Sequence, residues 1–156
     1  MKINLGAGDD KINDYLSVDL FTNADIKADV RNLPFHNKEI EEIFASHIIE
    51  HFDFYEAKKV LKEWYRILQI GGKLIIETPD FYNSCVKYSQ LEVKDRQRMW
   101  GHFFAKSWID GETHKFLYDK EGIYNQLYEA GFRDIKFENP TKHLENPNIR
   151  IIGIKI

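Results

Sequence analysis

Residues 1–20 read MKINLGAGDDKINDYLSVDL, and this stretch decides the fold. The run from Lys2 to Leu5 is a short strand that ends in a glycine turn, Gly6-Ala7-Gly8. A second strand, Tyr15-Leu-Ser-Val-Asp-Leu20, carries an acidic residue, Asp19, near its end. A strand, a Gly-x-Gly turn and a carboxylate closing the next strand form a nucleoside-binding plan. Glycines let the backbone approach the ligand closely, and the carboxylate takes the two ribose hydroxyls. Only about six residues separate Gly8 from the second strand, too few for a crossover helix. The first helix is therefore reduced to a turn, which leaves the loop amides to act nearly alone, without a helix dipole.

Outward from this stretch, strands and helices alternate. After the first strand at about 2–5, strands are expected at about 15–20, 25–29, 42–46, 72–78, 132–138 and 149–155. Helices are expected at about 55–69, 80–90 and 119–130. Ala57, Val60, Leu61, Trp64 and Leu68 form one apolar stripe at helical spacing. Gly71-Gly72 is read as the end of that helix, and Lys73–Glu77 as a buried strand stopped by Pro79. Asp119 caps the last helix and Gly131 terminates it. The pattern is that of an open α/β sheet in a single domain spanning residues 1–156.

Composition narrows the function. The chain has 43% hydrophobic residues, a net charge of −3 and a pI near 6.1. It lacks the positive field of a duplex nucleic-acid binder. No apolar run approaches the roughly 18 residues of a membrane span, and the glycine turn breaks any signal-peptide layout. One cysteine, Cys85, excludes an internal disulfide and fits a reducing, cytoplasmic setting. Cys85 falls in an expected helix and is read as a packing residue. Lys58, Lys59, Lys62 and Arg66 are read as a solvated helix face.

Residues 95–118 differ in character. Trp100, Phe103, Phe104 and Trp108 cluster there with His102, His114 and an Asp110-Gly111 turn, with no clean period. The expectation is a substrate-side cap over the open end of the sheet. The other reading is a surface excursion whose aromatics fill a satellite core.

Four blocks in order, Ile3–Gly8, Asp29–Phe35, Ser46–His51 and Glu63–Leu74 followed by Pro79-Asp80, carry a resemblance, with Glu129–Phe132 as a late addition. They resemble the class I S-adenosylmethionine-dependent methyltransferases, and more narrowly the small predicted methyltransferases linked to polysaccharide and surface-glycan pathways. The resemblance implies a Rossmann-like sheet of about seven strands with an antiparallel C-terminal strand. It implies that Gly6, Ala7 and Gly8 pass under the methionine and ribose of S-adenosylmethionine. Asp19 would bind the ribose hydroxyls and Leu20 would lie against adenine. Asp29 would accept from the adenine amino group, the Val30 amide would face a ring nitrogen, and Ser46 and His47 would lie near the methionine part. Two positions depart from the family pattern. Asn4 stands where an acidic residue is frequent, and Asp10 stands for the third glycine. Asn4 offers no charge, but it can position the loop by hydrogen bonding.

The cofactor brings an activated methyl group, so the protein chiefly aligns a nucleophile and takes its proton. Histidine titrates near neutral pH and suits the task. His47, His102 and His114 are the catalytic candidates, with His51 beside them. In His47-Ile-Ile-Glu50-His51, positions 47, 50 and 51 share a face on a helical turn. With a later histidine they could bind a divalent ion, but local bracing by Glu50 and His51 is the reading adopted, and no metal is assigned. Asp80 is read as either an acceptor-site residue or a helix cap.

The expected function is methyl transfer from S-adenosylmethionine to a small-molecule hydroxyl or amine, plausibly on a sugar or glycan precursor. The alternative is a non-catalytic module that keeps the fold and binds the cofactor or a partner. A nicotinamide-dependent oxidoreductase fits poorly, because Lys11 occupies the third glycine position of that motif. The expected partner is a small-molecule acceptor, without duplex nucleic acid or membrane. An exposed strand at 149–155, or the aromatic segment, could support a homodimer.

Overall fold

No helix separates β1 (Lys2–Leu5) from β2 (Leu16–Asp19) in the computed structural model, which describes residues 1–106, 109 and 112–156. The short link expected from the sequence is a turn. The sheet continues with β3 (Ile26–Lys27), β4 (Ile40–Ser46), β5 (Leu68–Pro79), β6 (Phe132–Glu138) and β7 (Asn148–Lys155). Its order is β3-β2-β1-β4-β5-β7-β6. The first five strands pair in parallel, and β7 runs antiparallel to both β5 and β6. Strand order reverses between β1 and β4, and the crevice at such a switch point is where open α/β sheets bind ligands.

The C-terminal strand is not the free edge the sequence suggested. β7 lies between β5 and β6, so its backbone is paired on both sides and offers no dimer edge. The expected end of the first long helix also shifts. That helix, α1, spans Phe54–Ile67, starts in a capping box of Asp53 and Glu56, and gives way to β5 at Leu68. Ile40 pairs with Leu68, yet Glu42 already pairs with Lys73, so Gly71-Gly72 form a bulge inside the strand rather than a helix stop. Gly71 has φ +79°, and a Cβ on Gly72 would lie 2.7 Å from the Gln69 carbonyl oxygen.

The main core lies between one sheet face and the helices α1 and, later in the chain, Lys120–Ala130. Trp64 is fully buried at its centre. Among the described residues, the opposite face buries a small cluster of Phe44, Ile75 and Ile152, flanked by Ile12, Tyr15 and Ile154. Charged groups roof that small cluster. Glu42 bonds Tyr15 and Lys73, and Glu77 bonds Arg150.

α1 also clasps the loop between β3 and β4. The Trp64 indole N–H donates to the Val30 carbonyl at 3.0 Å, and Glu63 accepts from the Leu33 amide at 2.9 Å. Arg66 donates to the Leu33 and Phe35 carbonyls. Glu63, Trp64 and Arg66 thus fix a loop that has no helix of its own, and with it the position of Asp29 and Val30.

Beyond β5, α2 (Phe81–Gln90), α3 (Val93–Arg96), α4 (Trp100–Phe104) and α5 (Lys120–Ala130) follow. Asp80 caps α2 through the Asn83 amide, in line with the cap reading. Cys85 is exposed, not packed, because Ser84 is the buried residue of α2. Phe103 packs against Phe81 and Tyr88, which gives the aromatic segment a satellite cluster. Trp108, Asp110 and Gly111 lie outside the described residues. Asp119 caps α5, and Gly131 follows it in the left-handed conformation, as the sequence predicts. Among the described residues, no helix is long and apolar enough to cross a membrane.

Candidate active site

A cleft of about 390 Å³ opens at the C-terminal ends of β1, β2 and β4. Gly6, Gly8, Asp19, Leu20, Asp29, Val30 and His47 line it, together with Phe21, Thr22, Arg31, His51 and Phe52. Its size is within the range of small-molecule sites. Gly6 and Gly8 have φ of +60° and +54°, the left-handed conformation that favours glycine. A Cβ on Gly8 would meet no atom within 4 Å, so the turn leaves space where a ligand can lie against the backbone.

The turn amides are not free donors. Those of Gly6 and Ala7 donate to the Val18 carbonyl, and that of Gly8 donates to Asp19 Oδ2 at 3.0 Å. The expectation that loop amides act nearly alone on a ligand is therefore corrected. The turn spends them on holding its own shape, and its contribution is close approach. Asn4 supports the turn as anticipated, donating to the Asp10 carbonyl at 3.1 Å.

Asp19 is the hub of this half. Its Oδ1 accepts from the Phe21 and Thr22 amides at 2.8 and 3.0 Å, while Thr22 Oγ1 donates to the Gly8 carbonyl. Burial alone would raise its pKa, but the three amides outweigh that effect and hold it below the usual carboxylate value. Asp29, at the other end of the cleft, is paired with Arg31, whose Nε and Nη2 lie 2.7–3.0 Å from its oxygens. Arg31 was not anticipated from the sequence. The Asp29-Val-Arg31 spacing was the available signal, since a residue two positions on can reach back across a turn.

Ala7 and Ser46 face a second, smaller cavity of about 180 Å³ with Asn4, Asp10, Lys142 and His143, and it meets the cleft at Gly6. The Lys142 ammonium lies 2.6 Å from Asp10 Oδ2. Ser46 Oγ is buried without a hydrogen-bond partner among the described residues.

The three catalytic candidates separate in space. His47 lines the cleft in the left-handed region, φ +53°, with its ring 4.4 Å from that of His143. His47 Nδ1 lies 3.1 Å from Glu50 Oε1, an ion-pair contact rather than a well-directed hydrogen bond. His114 does not line the cleft. It sits behind Glu50, with Nδ1 3.1 Å from the Phe103 carbonyl and Nε2 3.9 Å from Glu50 Oε1. His102 is farther back, 2.9 Å from Ser84 Oγ between α4 and α2. Burial, aided by the charges of His47 and His114, pushes the His102 pKa down to about 4. Burial also lowers His114, against the pull of Glu50.

Glu50 ties the segment after α4 to the sheet. It lies in a 3₁₀ turn, Ile49–His51, and is fully buried. Its backbone carbonyl accepts from the Lys115 and Phe116 amides, and its Oε2 accepts from Thr78 Oγ1 at 3.0 Å. Burial would raise its pKa, yet the close approach of His47 and the charge of His114 leave it lowered. Thr78 and the rim residues Glu112 and Lys115 were invisible to sequence reasoning, because only the tertiary fold brings them here.

Residues 9–76 match a family model described as a methyltransferase domain. No curated protein sequence matches the chain. A possible histamine N-methyltransferase of Thermotoga maritima shares its fold at 18% identity, over 99% of this chain and 82% of that one, with a TM-score of 0.63. A SAM-dependent methyltransferase of Archaeoglobus fulgidus does so at 17% identity, over 99% and 85%, with a TM-score of 0.68. Phosphoethanolamine N-methyltransferase 2 of Haemonchus contortus, solved with S-adenosyl-L-methionine, matches at 15% identity over 99% and 48%, with a TM-score of 0.63. These structures share the class I methyltransferase fold with this chain, and the matched segment lies within that fold.

Proposed function

We propose that the protein transfers a methyl group from S-adenosylmethionine to a hydroxyl or amine of a small molecule. The observation that carries this reading is the cleft at the strand-order switch, where Gly8 leaves open space beside Asp19 and His47 enters from the other side. The residues present fit the cofactor. Asp19 keeps unused lone pairs toward the ribose hydroxyls, since each carboxylate oxygen can accept more than one bond. Leu20 and Phe21 give the base an apolar edge, and Asp29 and Val30 lie where its polar rim would fall. Ser46 and Ala7 reach the methionine end from the smaller cavity.

When bound, S-adenosylmethionine supplies a methyl group on a sulfonium, ready for displacement. His47 is the proton acceptor in this reading. Glu50 faces its Nδ1, which leaves Nε2, buried and unpartnered among the described residues, as the accepting atom. His102 and His114 act on acceptor binding only indirectly, by seating the segment that caps the cleft. Of the described residues in the stretch 95–118, Glu112 and Lys115 stand at the cleft rim and support this cap. A sugar or glycan precursor is the acceptor class to screen first, from the sequence resemblance alone.

A second reading, a non-catalytic module, is favoured by one observation: the Asp29 carboxylate is already taken by Arg31. Calorimetry with S-adenosylmethionine and S-adenosylhomocysteine tests both. Wild-type protein is expected to bind both, and Asp19→Ala to weaken binding at least about tenfold. Failure of the folded wild-type protein to bind either would overturn the methyltransferase reading. Binding without turnover on a broad acceptor panel would favour the module.

A further inference from the structure

Glu50, His51 and His114 each offer one ligand atom, and these atoms all lie within 4.8 Å of one another. In a tetrahedral site, donors about 2.0–2.1 Å from an ion are roughly 3.4 Å apart. A small contraction would therefore close this triad on a cation. Its donors are also the wrong groups to leave as they are. Glu50 Oε1 and His51 Nδ1 are buried without a hydrogen-bond partner among the described residues, and such groups normally find one.

Two of the three donors are held from behind by neighbouring groups. Glu50 Oε2 is held by the Thr78 hydroxyl, which leaves Oε1 to face the histidines. His114 Nδ1 lies against the Phe103 carbonyl, a contact that requires the proton on Nδ1 and leaves the Nε2 lone pair turned to Glu50. His51 packs edge-on to His114, with ring centroids 5.0 Å apart. A histidine held through its second nitrogen, as His114 is, beside a carboxylate bonded to a hydroxyl, is the usual outer support of a metal site. A purely structural Glu50 needs none of this convergence.

From this geometry we infer that Glu50, His51 and His114 bind one divalent transition-metal ion. Two imidazoles and one carboxylate suit Zn²⁺ and its first-row neighbours, not Ca²⁺ or Mg²⁺, which take oxygen shells. Three protein ligands would leave a coordination position open. His51 also lines the cleft, so the triad adjoins the space assigned to the acceptor. His47 remains outside the triad, with its Nδ1 3.1 Å from Glu50 Oε1. This inference reverses the sequence expectation of no metal, and it does not depend on methyl transfer.

The test uses chelator-stripped full-length protein titrated with Co²⁺ and Zn²⁺. The expected result is one Co²⁺ per chain with the visible absorption of a low-symmetry site, displaced by Zn²⁺. His114→Ala and His51→Ala should each weaken Zn²⁺ binding by at least about tenfold, while circular dichroism stays native. Glu50→Gln should do the same, and if it fails to fold the two histidine variants decide. Saturating Zn²⁺ should raise the melting temperature of wild-type protein more than that of His114→Ala. Absence of Co²⁺ and Zn²⁺ binding by folded wild-type protein, or wild-type Zn²⁺ affinity in both histidine variants, would overturn the site. Calorimetry with S-adenosylmethionine on the same stripped protein separates the two proposals, because cofactor binding without metal binding removes only this one.

Discussion

Asp19 and Glu50 are both carboxylates near the mouth of the sheet, and they are used in opposite ways. Asp19 follows β2 and accepts three backbone amides, so it is spent largely on the turn that shapes the cleft. Glu50 follows β4, is fully buried, and has one oxygen bonded to Thr78 while the other faces histidines. A carboxylate braced by three amides stabilises its surroundings. A buried oxygen left open costs free energy, and is kept where a further partner or a reaction needs it.

The largest expected effect strikes the first of these. In Asp19→Asn one acceptor oxygen becomes an NH₂ group that must face an amide donor. The variant should lose about 2–3 kcal/mol of stability in urea unfolding, because hydrogen bonds to a charged group are at the strong end. It should also lose cofactor binding. A cost under ~0.5 kcal/mol would break the comparison, since Asp19 would then not brace the turn.

A smaller, graded effect belongs to the histidines behind Glu50. The folded-state pKa of His102 is near 4 against an ordinary 6.5, so the unfolded chain takes up its proton first. Stability from this group is full above about pH 6.5 and is lost as pH falls toward 4. His114 is shifted in the same direction by burial and adds to the same slope. Glu50, lowered from 4.5, extends the loss to more acid pH. Melting temperatures across pH 4–7 should therefore fall with acid, and His102→Gln, which can keep a bond to Ser84, should flatten that fall. An unchanged slope in the variant would show that His102 is not held neutral by its site.

Legibility in the sequence follows the same division. The Asp19 half could be read because its parts are local. A strand, Gly6-Ala7-Gly8 and Asp19 lie within twenty residues, and the missing helix follows from the spacing. The alternation of strands and the caps at Asp119 and Gly131 were equally local, whereas the antiparallel last strand came only from the resemblance. The Glu50 half joins β4, β5 and the stretch around His114, which meet only in the folded chain. No period marks Thr78 or the Phe103 carbonyl as its supports. The misreadings have the same origin. Gly71-Gly72 looked like a helix stop because a bulge needs the partner strand to be seen, and β7 looked like an edge because strand order is not written in sequence order.

The smallest expected effect sharpens the comparison most. In Glu50→Gln the amide oxygen can still accept from Thr78, and the NH₂ group replaces the open oxygen opposite His114 Nε2, a lone pair that can receive it. One charge is lost, but so is the cost of keeping a carboxylate out of water. The stability change should stay within about 1 kcal/mol, well below that of Asp19→Asn. Activity or metal binding should nonetheless collapse, since a neutral amide is a poor ligand and cannot counter a charge on His47. A variant as unstable as Asp19→Asn would mean that Glu50 is a structural brace after all. A variant that folds well and fails chemically would separate the carboxylate that builds the cleft from the one held in reserve beside it.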